Sequence, residues 1–175
     1  MKILITGMAG TGKTTLVSKL KEQSFTALDL DDCDVCMWVD KETGVEASYT
    51  EGKGEKWISQ HRWVVSIPKL KDLLGQYDEQ DVFVSGKISR TQIIEVSTLF
   101  DKVILLKPHD THLHERLRTR TSNKYNFGKL KEERDRVVNG RQRFEDECVK
   151  AGAVVLENNG TIAETLDEVL EIAGR

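Results

Sequence analysis

The chain has 175 residues, a formal net charge of −3 and 38% hydrophobic residues, enough for one domain with a proper core. A sequence pI near 5.9 argues against a surface built for nucleic acid, and no apolar run approaches the roughly 20 residues that cross a bilayer. The first residues lack the pattern of a secretory leader and three cysteines cannot all pair within one chain, so a soluble cytoplasmic protein with reduced thiols is expected.

Residues 2–6, Lys-Ile-Leu-Ile-Thr, carry the short apolar run of a buried strand. Residues 7–14 then read Gly-Met-Ala-Gly-Thr-Gly-Lys-Thr, which matches the phosphate-binding loop G-x-x-x-x-G-K-[ST]. Small residues let successive backbone N–H groups turn inward around phosphate oxygens; the lysine neutralises the terminal phosphates and the hydroxyl ligates Mg²⁺. Gly7, Gly10, Thr11, Gly12, Lys13, Thr14 and Thr15 form the candidate nucleotide site, with Lys13 catalytic and Thr14 a metal ligand. Leu16, Val17 and Leu20 follow at helical spacing, so the loop opens a helix whose N-terminal dipole favours anions.

A second strand around 25–30 runs into Asp29-Leu30-Asp31-Asp32, placing carboxylates at the C-terminal sheet edge where open α/β folds bind ligands. The period of two along a strand points Asp29 and Asp31 to one side. Asp29 is assigned to the Mg²⁺ shell, and Asp31 to the acceptor, where it can orient a hydroxyl or take its proton. Residues 33–65 hold Trp38, Trp57 and Trp63 among glycines and polar residues, and read as a substrate-covering insert, a small local core, or both. His61 lies between two of those tryptophans and is a candidate substrate contact or a packed histidine.

Ser66 and Pro68 start a helix that ends near Gly75. The third strand, 81–85, ends in Ser85 rather than the aspartate that holds Mg²⁺ in ATPases coupled to motion, which favours a small kinase. Lys87 and Arg90 just beyond it suit an anionic acceptor.

After a fourth strand at 102–106 comes a helix bearing Arg116, Arg118 and Arg120, of which Arg116 and Arg120 share a face. Guanidinium stacks on a purine and clamps phosphate, so one of these arginines is expected to meet the nucleotide or the transferring phosphoryl group, with Arg118, off the shared face, the weaker candidate. The polar stretch 121–130 reads as a lid, and the charged helix 130–150 adds Arg141 and Arg143, either of which can return to the phosphates. A fifth strand at 153–156 and a helix opened by a Thr161–Glu164 capping box complete the chain. The pattern is α/β: a single three-layer P-loop domain over 1–175, with a mainly parallel five-stranded sheet and helices on both faces. Cys33 and Cys36 have the spacing of half a zinc site but no second such pair follows, and Cys148 reads as a small hydrophobe.

The P-loop, Asp29-Leu30-Asp31, Val84-Ser85-Gly86 and the stretch Leu113–Arg120 together resemble the small P-loop kinases of the nucleoside monophosphate kinase and shikimate kinase superfamily. Residues 38–44, 61–63 and 118–125 are similar to a bacterial group labelled shikimate kinase-like or AAA-family ATP-binding proteins. The resemblance implies ATP and Mg²⁺ as cofactors, Arg116 against adenine, Arg120 on the phosphates, Asn158 in the loop around the base and Gly86 in the turn beside the acceptor. The turn after the third strand reads Gly86-Lys87-Ile88-Ser89 in place of the shikimate kinase glycine cluster, and the adenylate kinase D-G-x-P-R turn is missing, so the resemblance does not extend to the acceptor. The expected activity is transfer of the γ-phosphoryl group of ATP to a hydroxyl-bearing metabolite by a monomer or homodimer, without nucleic acid or membrane. The alternatives are a nucleoside monophosphate kinase and a slow ATPase acting as a nucleotide-dependent switch.

Overall fold

The computed structural model describes residues 1–50, 53–119 and 130–175. In chain order these form β1 (Lys2–Thr6), α1 (Lys13–Glu22), β2 (Ala27–Asp29), β3 (Cys36–Asp40), β4 (Glu46–Ala47), α2 (Gly54–Gln60), β5 (His61–Val65), α3 (Ile67–Gly75), β6 (Val82–Ser85), α4 (Ile93–Ser97), β7 (Lys102–Leu106), α5 (Asp110–Thr119), α6 (Lys131–Lys150), β8 (Val154–Leu156) and α7 (Ile162–Ala173). Five strands make one sheet in the order β2-β6-β1-β7-β8, and every pairing in it is parallel.

The central strand explains the apolar opening of the chain. Ile3, Leu4 and Ile5 are fully buried because helices cover both sheet faces, so alternation gives way to a continuous hydrophobic run. On one face, Ile3, Ile5 and Phe83 pack against Leu16, Val17 and Leu20 of α1 and Leu166 and Val169 of α7. On the other, Leu4 and Val84 meet Leu70 and Leu74 of α3, Ile93 and Val96 of α4, Leu113 and Leu117 of α5, and Val137 and Phe144 of α6. Each such fully buried side chain contributes about 1.5–3 kcal/mol relative to exposure. The three-layer α/β reading of the sequence is therefore the architecture observed.

Boundaries differ modestly from the expected strands: β2 covers only Ala27–Asp29 and β8 only Val154–Leu156. At α7 the capping box forms as read, with the Thr161 hydroxyl accepting from Glu164 N and Glu164 Oε2 accepting from Thr161 N at 2.7 Å. That backbone hydrogen bond holds the Glu164 carboxyl below its usual range. Among the described residues, no helix is long and apolar enough to cross a membrane.

The insert is a second sheet, antiparallel and ordered β4-β3-β5, with α2 beside it. No strand was expected in residues 33–65, because its pairing is non-local and its strands are short and interrupted by polar residues. Trp38 and Trp63 are directly opposite in the register, and Trp38 also meets Trp57 at 5.2 Å and Tyr49 at 5.9 Å between ring centroids. A small aromatic core therefore organises the insert.

Candidate functional site

The P-loop joins β1 to α1 at the C-terminal edge of the parallel sheet, where crossover geometry leaves a crevice for ligands. Gly12 has φ of 96°, a left-handed conformation that a side chain would strain. Lys13 Nζ donates to the carbonyls of Gly7 at 2.8 Å and Met8 at 2.9 Å, so its charge lies over the loop. Gly10, Gly12, Lys13, Thr14 and Thr15 line a cavity of about 1570 Å³. Gly7 and the buried Thr11 stand behind that surface; the Thr11 hydroxyl donates to Met8 O at 2.9 Å and fixes the loop.

The carboxylates reach the cavity by a route different from the expected one. Thr14 Oγ1 donates to Asp29 Oδ2 at 3.1 Å, which brings together the two residues assigned to the metal. The strand ends at Asp29, however, and Asp31 lies in the turn that follows, so the two-residue period does not operate between them. Asp31 is held instead by its own N–H, which donates to Asp29 Oδ1 at 3.2 Å. Asp29, Asp31 and Asp32 all line the cavity.

Cations occupy the side beyond β6. Lys87 and Arg90 line the cavity, as does Arg136 of α6. Burial pushes the Lys87 pKa down, the fields of Arg136 and Arg90 push it further, and Asp31 opposes them. Gly86 is buried behind this wall: its N–H donates to Ile5 O at 3.1 Å, and its O accepts from Thr6 Oγ1 at 2.9 Å. A Cβ there would meet Leu30 Cδ1 at 2.8 Å, so a close approach of chain to side chain requires glycine. Cys148, fully buried on α6, has its thiol pushed up to about 12 by desolvation and behaves as a packed hydrophobe.

Arg116 lines the cavity next to Gly12 and donates through Nη2 to Asn158 O at 3.2 Å. Asn158 is 5% exposed, and its Nδ2 donates to Thr11 O at 2.7 Å. The loop after β8 thus holds both the guanidinium and the P-loop. Arg118 is exposed and does not line the cavity. Arg120, assigned to catalysis, and residues 121–129 of the expected lid lie outside the described residues.

The two arginines left open on α6 occupy different surroundings. Arg143 lines the cavity. Arg141 is buried away from it, with Nε on Glu145 Oε1 and Nη1 on Asp110 Oδ1, both at 2.5 Å, and Nη2 on Pro108 O. Its guanidinium is committed to holding α6 against α5. Of the two, Arg143 is thus the one that borders the cavity.

Sequence reasoning also missed the extent of the α6 contribution. Arg136, Asn139, Gly140 and Arg143 all face the cavity, and their i, i+3, i+4, i+7 spacing marks one helix stripe. That polar stripe was readable but inconspicuous among the helix's other charges. From the insert come Trp38, Lys41, Ile58, His61, Arg62 and Trp63. His61 stacks on Trp57 at 3.9 Å and its Nδ1 is 2.7 Å from Trp57 O, so it is a packed histidine that also borders the cavity.

A sequence profile described as an AAA domain matches residues 3–139. A search of curated protein sequences gave no significant match. Among solved structures, shikimate kinase from Acinetobacter baumannii in complex with shikimate is similar with a TM-score of 0.64 and 19% identity, over 98% of this chain and 92% of that one. Shikimate kinase from Aquifex aeolicus is similar with a TM-score of 0.60 and 18% identity, over 99% and 96%. Deoxyadenosine kinase from M. mycoides with bound dATP is similar with a TM-score of 0.57 and 11% identity, over the full length of both chains. At such identities these structures speak to fold, and the fold they share with this chain is that of P-loop small-molecule kinases. The chain belongs to the AAA domain family.

Proposed function

We propose that this protein is a phosphotransferase that moves the γ-phosphoryl group of Mg-ATP to a hydroxyl of a small anionic metabolite. The single observation that carries this reading is one cavity shared by the P-loop, the Asp29–Asp31 carboxylates and the Lys87–Arg90–Arg136 cations. Its volume of about 1570 Å³ exceeds the roughly 300–1,000 Å³ usual for one ligand, which suits a nucleotide together with an acceptor.

The residues present fit Mg-ATP. Gly12 adopts the left-handed turn that the loop needs and lines the cavity, and the Thr14 hydroxyl beside Asp29 forms a hard oxygen donor set suited to Mg²⁺. Thr14 would hold the ion directly and Asp29 through its water shell, and the ion would neutralise charge on the β- and γ-phosphates. Lys13 would move from the Gly7 and Met8 carbonyls to the terminal phosphates. Asp31 would orient the acceptor hydroxyl and receive its proton, while Lys87, Arg90 and Arg136 would hold an anionic group on the same molecule. Arg116 and Asn158 would flank the base, and Arg120 would serve the transferring group. A hydroxyl is favoured over a phosphate acceptor, because three carboxylates at the transfer point repel a second phosphate. The similarity to shikimate and deoxyadenosine kinases is consistent with a hydroxyl-bearing acceptor.

The test is ADP formation from Mg-ATP with a panel of acceptors: shikimate, gluconate, nucleosides, nucleoside monophosphates, amino sugars and hydroxy-amino acids. Stimulation of at least about tenfold by one hydroxyl-bearing class supports the reading. Slow ADP formation indifferent to every acceptor, with nucleotide state altering binding to a protein partner, would replace it with a nucleotide-dependent switch.

A further inference from the structure

Tyr49, in the segment between β4 and α2, is buried and donates its hydroxyl to Glu133 Oε1 across 84 residues of sequence. Glu133 is 1% exposed and sits in the first turn of α6, where its Oε2 accepts from Leu130 N at 3.2 Å. One buried carboxylate therefore serves two elements at once.

Both ends of this contact lead to the cavity. The Tyr49 ring packs on Trp38 at 5.9 Å and on Trp57 at 5.4 Å, and Trp38 lines the acceptor side. In the other direction, Glu133, Val137 and Gly140 fall at i, i+4 and i+7 on one face of α6, spanning about 10 Å of helix. Val137 shares the core with Met8 of the P-loop, and a Cβ on Gly140 would lie 3.9 Å from Met8 Cε. A packed path thus runs from Met8 along α6 to Glu133, Tyr49 and Trp38.

We infer that Tyr49 and Glu133 are a positioning pair through which nucleotide at the P-loop sets the acceptor-side aromatic wall. This rests on the nucleotide-binding reading above. The pair touches no reacting atom; it acts by making the α6 face and the insert respond together, the contiguous two-ended contact that coupling between sites requires. By reciprocity, an acceptor that fixes the insert tightens nucleotide binding by the same factor.

Amide hydrogen exchange with Mg-ADP as the probe, and calorimetry to confirm binding, tests the inference. In the wild-type protein, Mg-ADP slows exchange in the P-loop and also, by about threefold or more, in residues 36–49 and 54–65. Tyr49→Phe and Glu133→Ala retain the P-loop effect and lose the insert effect. Glu133→Gln keeps both, since its amide can accept from Leu130 N and donate to the Tyr49 oxygen. Should Glu133→Ala fail to fold, Tyr49→Phe, which keeps the ring, decides alone. Insert protection that persists in Tyr49→Phe overturns the inference, as does its absence from the wild type when the P-loop is protected. Loss of P-loop protection in the wild type is a different result: it removes the nucleotide reading, and the coupling with it. A purely structural pair would lower the thermal midpoint of Tyr49→Phe and leave the nucleotide-dependent pattern unchanged.

Discussion

The side-chain amide of Asn158 donates to the carbonyl of Thr11 at 2.7 Å, tying the exit of the last strand to the P-loop across 147 residues of sequence. The same residue's backbone carbonyl accepts from Arg116. Asn158→Ala keeps that carbonyl but removes the amide tether, so it should loosen the P-loop and weaken Mg-ADP binding by up to about tenfold, the equivalent of one hydrogen bond. Calorimetric titration reads it. An unchanged affinity would show that the loop keeps its shape without this tether.

Lys13→Ala should reduce phosphoryl transfer by about two orders of magnitude or more while leaving the circular dichroism spectrum intact, because in the proposed mechanism its ammonium would neutralise the terminal phosphates. Turnover equal to wild type in this variant would end the proposed mechanism.

Lys87→Met should trade function for stability. The lowered folded pKa of Lys87, below its usual 10.5, means that the native state binds fewer protons than the unfolded chain between the two values. Stability then rises with pH from the folded pKa towards 10.5, and below that window the charged lysine is a net cost. The substitution removes the cost, so the thermal midpoint at neutral pH should increase and the alkaline rise should flatten. The acceptor KM should increase at the same time. A lower midpoint at neutral pH would contradict the electrostatic account.

Arg141 and Arg143, two residues apart on α6, should behave oppositely. Arg141→Ala takes from Glu145 its nearest cation, leaving Lys107 at 3.8 Å, and should destabilise the fold by about 1–3 kcal/mol, with little change in nucleotide KM. Arg143→Ala should leave the denaturation midpoint nearly unchanged and lower turnover. Chemical denaturation and steady-state kinetics on the pair separate the roles.

Gly86→Ala should destabilise by about 1–3 kcal/mol, since its Cβ would press on Leu30 at 2.8 Å. Combining it with Leu30→Ala should cost less than the sum of the two single changes, a coupling that urea denaturation of the four proteins measures.

The sequence by itself determined the parts of this protein whose causes are local. A P-loop is a run of consecutive residues with fixed conformational demands, so Gly12, Lys13 and Thr14 were legible at once. The buried parallel strands announced themselves by uninterrupted apolar runs such as Ile3-Leu4-Ile5, and the final helix by Thr161 and Glu164 reaching each other within one turn. Only the tertiary structure decided what depends on contacts between distant segments. The antiparallel sheet of the insert pairs β3 with β5 across a long connection, and no periodicity in residues 33–65 carries that register. Nothing in the spacing of Arg141 and Arg143 tells which faces the cavity and which faces Asp110, because a helix turns about 200° between them and the neighbours on each side come from elsewhere in the chain. Asp31 reaches the cavity through a turn rather than along a strand, and Glu133 meets Tyr49 only once the insert lies on α6. Local chemistry wrote the P-loop into the sequence, and packing of remote segments made the rest of the cavity wall.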